Sequence, residues 1–308
     1  GTFYFTTMTT PFNKQYHSSE QLALLLQSRN LVIDNISFAA QKLRQISYYR
    51  FSAYLYPFLA HPKSAQIFKA NSNFHTALSL YDFDQKLRIL AFTEIAKIEV
   101  AIRSALANIV SKETGNLFWM TDISMYANAD RFRKTMNFID KELNTSKEDF
   151  IIHFKRKYSN PYPPAWILTE ILPIGVLNHI YGNLANNALR KKIADEFSLK
   201  VPVFSSWFTI IALTRNACCH HARIWNKQNT ILPTEPKRML LPWINTPVPT
   251  NRIYYDLCIL KYFVNIIDIN NNMTHNLSSL LTDYPNVDIL AMGFPANWKN
   301  EPLWKILQ

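Results

Sequence analysis

The chain has 308 residues, which is long enough to build a hydrophobic core without disulfides or metal ions. Three cysteines, two of them adjacent, form no disulfide framework and predict a reducing, cytoplasmic compartment. No apolar run approaches the length of a bilayer span, and the first residues lack the regions of a signal peptide, so a soluble protein with no membrane partner is expected. The formal net charge of +11 favours a polyanionic partner such as nucleic acid.

Glycine is scarce, and helical periodicity dominates the chain. Five glycines fall well below the usual share of roughly 7%, which argues against glycine-rich phosphate loops and a doubly wound sheet. Ser18 and Gln21 have the spacing of a capping box at a helix start. The sequence therefore predicts an all-α fold, with helices in chain order over about 18–30, 34–46, 48–58, 73–112, 129–144, 147–158, 165–187 (bent at Pro173), 188–197, 204–225 and 252–269.

A break at 61–64 suggests two domains. The first, 1–72, is predicted to be a small N-terminal helical unit, in which residues 1–7, before Met8, form an added leader or a frayed tail. The second, 73–308, is predicted to be the larger helical core, with a proline-rich irregular segment before its C-terminal helices.

One segment, Arg215–Asn226, concentrates histidine and arginine directly after an apolar run. If it is helical throughout, Asn216, His220 and Arg223 share one stripe beside Arg215. Histidine suits proton transfer near neutral pH, and arginine offers a bidentate fork to phosphate oxygens. RNA supplies its own nucleophile, the 2′-hydroxyl, so this pair favours metal-independent RNA cleavage. A single histidine cannot act as acid and base at once, which favours a second copy of the chain.

Other interpretations of this segment stay open at the level of sequence. An arginine and a histidine five residues apart are also compatible with a purely structural role, such as sealing a dimer interface. A two-metal nuclease would need clustered carboxylates, whereas the acidic residues of the 73–112 helix are spread around it. A zinc site is the remaining alternative, with candidate ligands Cys218, His221, Cys258, His179 and His275.

The basic residues form dispersed clusters along the chain. A protein that binds a membrane surface would concentrate them on one amphipathic helix, so dispersal favours a long ligand such as RNA. An aromatic ring beside cations is typical of contacts to single-stranded RNA. The predicted RNA-binding residues are Lys155, Arg156, Lys157 and Tyr158 in one cluster, and Arg190, Lys191 and Lys192 in another.

Residues from about 13 to 304 resemble the Abi-like (AbiD/AbiF-type) abortive-infection proteins of bacteria, which belong to the HEPN superfamily of helical ribonucleases. The HEPN motif is an arginine, a polar residue, three or four further residues and a histidine, and 215–220 fits it. The resemblance rests on Ile46–Phe51 with Tyr54, Ile98 and Glu99 with Arg103, Pro164–Trp166 with Glu170 and Gly175, Arg215–Asn226, and Met292–Pro295 with Trp298.

This resemblance implies a fold, an activity and site residues. It implies a HEPN-like helical bundle in which Arg215 and His220 are catalytic, without a cofactor or a metal, at a composite site built by a homodimer. It also implies phage defence or toxin activity through RNA cleavage, with a bound small noncoding RNA in some relatives. A non-catalytic module that holds such an RNA is the alternative. The supporting residues are Asn216, His221 (the second candidate for the catalytic histidine), Arg223, Glu170, Glu99 and Arg103.

Overall fold

The structure is a computed structural model that describes residues 11, 13 and 15–305. Residues 1–7, the predicted leader or frayed tail, lie outside the described part. Within it, the chain is all-α, and β pairing is limited to isolated bridges, which confirms the predicted fold class. Its helices are α1 Ser19–Ser28, α2 Ile36–Ile46, α3 Tyr48–Leu55, α4 Phe74–Thr114, α5 Ala129–Thr145, α6 Asp149–Lys157, α7 Ala165–Ile171, α8 Ile174–Asn183, α9 Asn187–Glu196, α10 Val201–Cys219, α11 Ile253–Ile267 and α12 Met273–Asp283.

Contacts divide the chain into two compact units, Gly1–Asp82 and Phe83–Gln308, and this division falls inside α4. In the first unit, α1 begins with the predicted capping box: Ser18 Oγ accepts a hydrogen bond from the Gln21 backbone, and Gln21 Oε1 accepts one from the Ser18 backbone. The apolar faces of α1 to α3 pack with the first turns of α4, which is why those turns belong to this unit.

The second unit contains the remaining helices and most of the aromatic core. α11 is buried along nearly its whole length, from Ile253 to Val264, and α10 packs against α8, α9 and α11. Trp207 on α10 is fully buried and stacks on Trp243 from the proline-rich segment, with ring centroids 4.8 Å apart. α10 is therefore a central helix of this unit.

Three features of the helices differ from the predicted pattern. Pro173 divides the predicted 165–187 helix into α7 and α8, because proline cannot donate the hydrogen bond that a continuous helix needs. The predicted 204–225 helix ends at Cys219, and the residues that follow form a turn and an extended segment. α12 was not among the predicted helices.

No single helix among the described residues is long and apolar enough to span a membrane. One pair, α9 with α10, meets the length and composition criteria only jointly, across a bend of 66°.

Candidate active site

α10 ends in a Schellman motif that contains both motif histidines. His220 is the C-cap, and its backbone N–H donates to the Asn216 carbonyl. His221 follows in the left-handed region, with φ of 54°; its N–H donates to the Cys218 carbonyl, and the Ala222 N–H donates to Ala217. These bonds satisfy the last carbonyls of the helix and turn the chain away from its axis.

This helix end corrects part of the predicted stripe. Asn216 and His220 do lie four residues apart on the last helical turn, and both are exposed. Arg223 lies beyond the Schellman motif, so its predicted place on a continuous helical stripe is wrong. The physical reason is the His221 backbone, which leaves the helical conformation two residues before Arg223.

Arg215 is held by an acidic residue of α4. Its Nε lies 3.7 Å from Glu99 Oε2, and its Nη1 lies 3.5 Å from Asn216 Oδ1. Glu99 also pairs with Arg103, and Arg103 donates to the backbone carbonyls of Thr169 and Leu172 at the end of α7. The structure thus brings together three residues predicted at the site.

The group formed by Arg103, Glu99 and Arg215 has a net charge of +1, and its members have different exposure. Glu99 and Arg103 are each 13% exposed, whereas Arg215 is 31% exposed. Arg103 is committed to Glu99 and to the α7 carbonyls, so its role is to position the cluster. Arg215 is the member with a guanidinium edge open to a phosphate.

A residue of α4 that the sequence did not single out fixes the chain after the histidines. Asp84 is fully buried and accepts hydrogen bonds from the backbone of Ile224, at 3.1 Å, and Trp225, at 2.6 Å. It also pairs with Arg88, whose Nη1 lies 3.4 Å from the Ala222 carbonyl. This buried pair anchors the segment that follows the Schellman motif. The only sequence signal was the four-residue spacing of the two charges, which does not distinguish an anchor from a surface pair.

The family described as Abi-like protein matches residues 41–226, more than half of the chain. The chain belongs to the Abi-like family. It is accordingly an abortive-infection protein. No curated protein and no solved structure matches it.

Every site residue predicted from the sequence lies within the matched part of this Abi-like protein. Glu170, on α7, is exposed, and the described residues show no ion pair or hydrogen bond between it and Arg215 or His220. Arg223 is half-buried, and its side chain has at least one polar, ionic or ring contact within the protein. Glu170 therefore stands apart from the cluster that Glu99 organises.

The first predicted RNA-binding cluster lies at the C-terminal end of α6. Lys155, Arg156, Lys157 and Tyr158 are all exposed, although Lys155 Nζ donates to the Leu143 carbonyl at 2.6 Å. Lys157 Nζ lies 5.4 Å from the centre of the Tyr158 ring, and that ring is 49% exposed. Arg156, Lys157 and Tyr158 thus present two cations and an aromatic face to solvent.

The second cluster in the Abi-like protein, on α9, is largely engaged within the protein. Arg190 packs over the Tyr181 ring, with 5.5 Å between guanidinium carbon and ring centre. Lys191 pairs with Asp195 at 3.5 Å, and Lys192 pairs with Glu113. Because two of its cations are paired with carboxylates, this cluster offers less uncompensated positive charge to RNA than the α6 cluster does.

The zinc alternative finds little support in the described residues of the Abi-like protein. They contain no group of three or more His, Cys, Asp or Glu side chains placed to hold a metal ion. Cys218 is buried, and burial raises the pKa of its thiol to about 12, which disfavours the thiolate that zinc requires. Burial likewise raises the pKa of Cys258.

Proposed function

We propose that this Abi-like protein is a metal-independent endoribonuclease of the HEPN type that acts in phage defence. The observation that carries the proposal is the arginine that Glu99 holds on the last turns of α10, next to an exposed histidine at the helix end. In this proposal one His220 accepts the proton of the 2′-hydroxyl, His220 of a second chain donates a proton to the leaving 5′-oxygen, and Arg215 stabilises charge on the phosphate. Asn216 flanks both.

One copy of this site is incomplete, because its two catalytic groups diverge. Arg215 and His220 are five residues apart, which places them about 140° apart around the axis of a 3.6-residue helix. A histidine from a second chain would supply the missing acid or base beside each arginine. A homodimer with composite sites is therefore part of the proposal.

An exposed apolar face on α4 supports this dimer. Ile89 is 59% exposed, Phe92 40% and Val100 65%, and all three lie on the same helical face as Glu99 and Arg103. Apolar residues grouped on a solvent-facing helix are typical of an interface. Two chains that pack along this face would bring both arginine clusters close to the contact.

The decisive experiment is cleavage of a mixed RNA pool by purified protein in the presence of a metal chelator. We expect His220→Ala and Arg215→Ala to abolish cleavage, and His221→Ala, the matched control on the adjacent residue, to retain it. Intact RNA with wild-type protein, or unchanged cleavage by both site variants, would refute the endoribonuclease. Loss of activity in His221→Ala with retention in His220→Ala would assign the catalysis to the other histidine.

The dimer is tested by sedimentation and cleavage in parallel. Val100→Asp places a charge on the apolar face of α4, and Ile123→Asp is the control, since Ile123 is also an exposed apolar residue, at 53%. We expect Val100→Asp to yield monomers without activity and Ile123→Asp to behave as wild type. An active monomer would remove the composite site from the proposal.

A second candidate function is the non-catalytic module that binds a structured noncoding RNA. It is favoured by Arg156, Lys157 and Tyr158, which are exposed and offer two cations and an aromatic ring to an RNA backbone and base. RNA that co-purifies equally with wild-type protein and with His220→Ala, without new ends in the wild-type sample, would support this function instead.

A further inference from the structure

A cavity of about 190 Å³ lies beside the C-terminal turns of α10. α10 forms one wall, the start of α11 forms the floor, and residues 227–231 of the following segment close the other side. Leu213 and Ile231, at 43% and 49% exposure, form apolar rims at its mouth, whereas Thr214 and Asp256 are buried at its base. The lining thus combines apolar side chains, mainly from α10, with polar side chains from residues 227–230 and a polar base, as small-molecule sites do.

Asp256 carries unused hydrogen-bonding capacity at the base of this cavity. The residue is 4% exposed, and its Oδ2 accepts a hydrogen bond from Asn229 Nδ2 at 2.8 Å. Its Oδ1 is buried and forms no hydrogen bond of good geometry with the described residues, although the Thr214 side chain also interacts with this carboxyl group. A buried acceptor without a donor is costly, so it points to a ligand that supplies an N–H or O–H group.

One wall of the cavity lies on the same side of α10 as the proposed catalytic histidine. Leu213 and Ala217, which line it, and His220 are spaced at i, i+4 and i+7 along α10, so they form one stripe. The helical rise from Ala217 to His220 is about 4.5 Å. A group held in the cavity would therefore be a close neighbour of a phosphate at His220.

We propose that this cavity binds one base of the RNA next to the scissile phosphate, with guanine preferred. The flat base would lie between the apolar rims of Leu213 and Ile231, and Asp256 would accept from the adjacent N1–H and N2–H groups of its Watson–Crick edge. This specificity rests on the proposed RNA-directed function. Asp256 lies outside the part of the chain that the family matches, whereas the α10 wall of the cavity lies within it.

The test measures binding separately from cleavage. Fluorescent 2′-O-methyl oligouridines cannot be cleaved through the 2′-hydroxyl, and they carry one central guanine, one central hypoxanthine, which lacks the exocyclic amino group, or uracil throughout. We expect the wild-type protein to bind the guanine probe about tenfold more tightly than the other two. Asp256→Asn should remove this preference, and Asp283→Asn, which changes an exposed acid of α12, should keep it.

A second variant guards against misfolding of Asp256→Asn. Leu213→Trp alters an exposed rim residue, so the fold should persist while the mouth of the cavity is filled, and the guanine preference should fall to less than twofold. The proposal is overturned if wild type binds no probe, binds all three probes within twofold, or loses affinity for all of them equally in Asp256→Asn. A guanine preference without RNA cleavage would support the guanine pocket and refute the endoribonuclease. RNA cleavage without a guanine preference would support the endoribonuclease and refute the guanine pocket.

Discussion

The buried carboxyl of Asp256 should make the protein less stable as pH rises. Burial raises the pKa of Asp256 from 3.8 to about 7, against the opposing effects of the Asn229 hydrogen bond, the Lys227 charge and the Thr214 side chain. Between these two pKa values the folded chain holds a proton that the unfolded chain has released. The free energy of unfolding therefore falls across this window as pH increases.

The size of this effect follows from the two pKa values. One pKa unit corresponds to about 1.4 kcal/mol, so a rise of about three units costs about 4 kcal/mol of stability at pH 7 and above. Part of this loss of stability occurs below pH 5. Between pH 5 and pH 8 the free energy of unfolding should therefore fall by about 3 kcal/mol. The asparagine in Asp256→Asn has the same shape as the aspartate and does not titrate. The free energy of unfolding of this variant, relative to wild type, should therefore rise by this amount between pH 5 and pH 8.

Urea unfolding of wild type, Asp256→Asn and Asp283→Asn at pH 5, 6, 7 and 8 measures this difference. Comparison between variants removes the contribution of the other titrating groups, including the eight histidines. Asp283→Asn should follow wild type at every pH. If the difference between wild type and Asp256→Asn varied by less than about 0.5 kcal/mol over this range, the carboxyl would titrate normally and the reasoning would be refuted.

Three further predictions concern the anchor, the helix end and the α6 cluster. Asp84→Asn leaves the Arg88 charge buried without its carboxylate and should lower the free energy of urea unfolding by about 3 to 5 kcal/mol, part of which a second change, Arg88→Met, should restore. His221→Gly should keep or raise the melting temperature, because glycine fits the left-handed backbone, whereas His221→Val should lower stability by at least about 1 kcal/mol; equal melting temperatures would contradict this. Arg156→Ala and Lys157→Ala should each reduce the slope of log affinity for single-stranded RNA against log salt by about 0.7, and an unchanged slope would remove them from the RNA contact.

The sequence predicted the helices well because local signals dominate there. Ser18 and Gln21 marked the start of α1, and the apolar period of α4 persisted to Gly115, whose φ of 66° ends that helix. Local signals failed where a tertiary contact decides the backbone. No glycine marks the end of α10, and His221 takes the left-handed position that glycine usually takes.

The part of the site that is local in sequence was also predictable. Arg215 and His220 are close in sequence, so their motif could be recognised, and the resemblance added Glu99 and Arg103. The Glu99–Arg215 ion pair joins α4 to α10 across more than a hundred residues, and only the fold brings these two side chains together. Asp256 carried no sequence signal at all, because its significance comes from burial and from an Oδ1 without a hydrogen bond of good geometry.

The two histidines have different physical roles in this arrangement. His221 has the left-handed backbone conformation that ends α10, so its main role is in the path of the chain, whereas His220 keeps helical hydrogen bonding and exposes its side chain. The segment after them is fixed by Asp84, which is buried on a different helix. A variant of Asp84 could therefore lose activity while both histidines and Arg215 remain intact, through displacement of the helix end. Loss of activity in a single histidine variant consequently identifies a catalytic group only when unfolding and oligomer measurements show that α10 still ends in the same way.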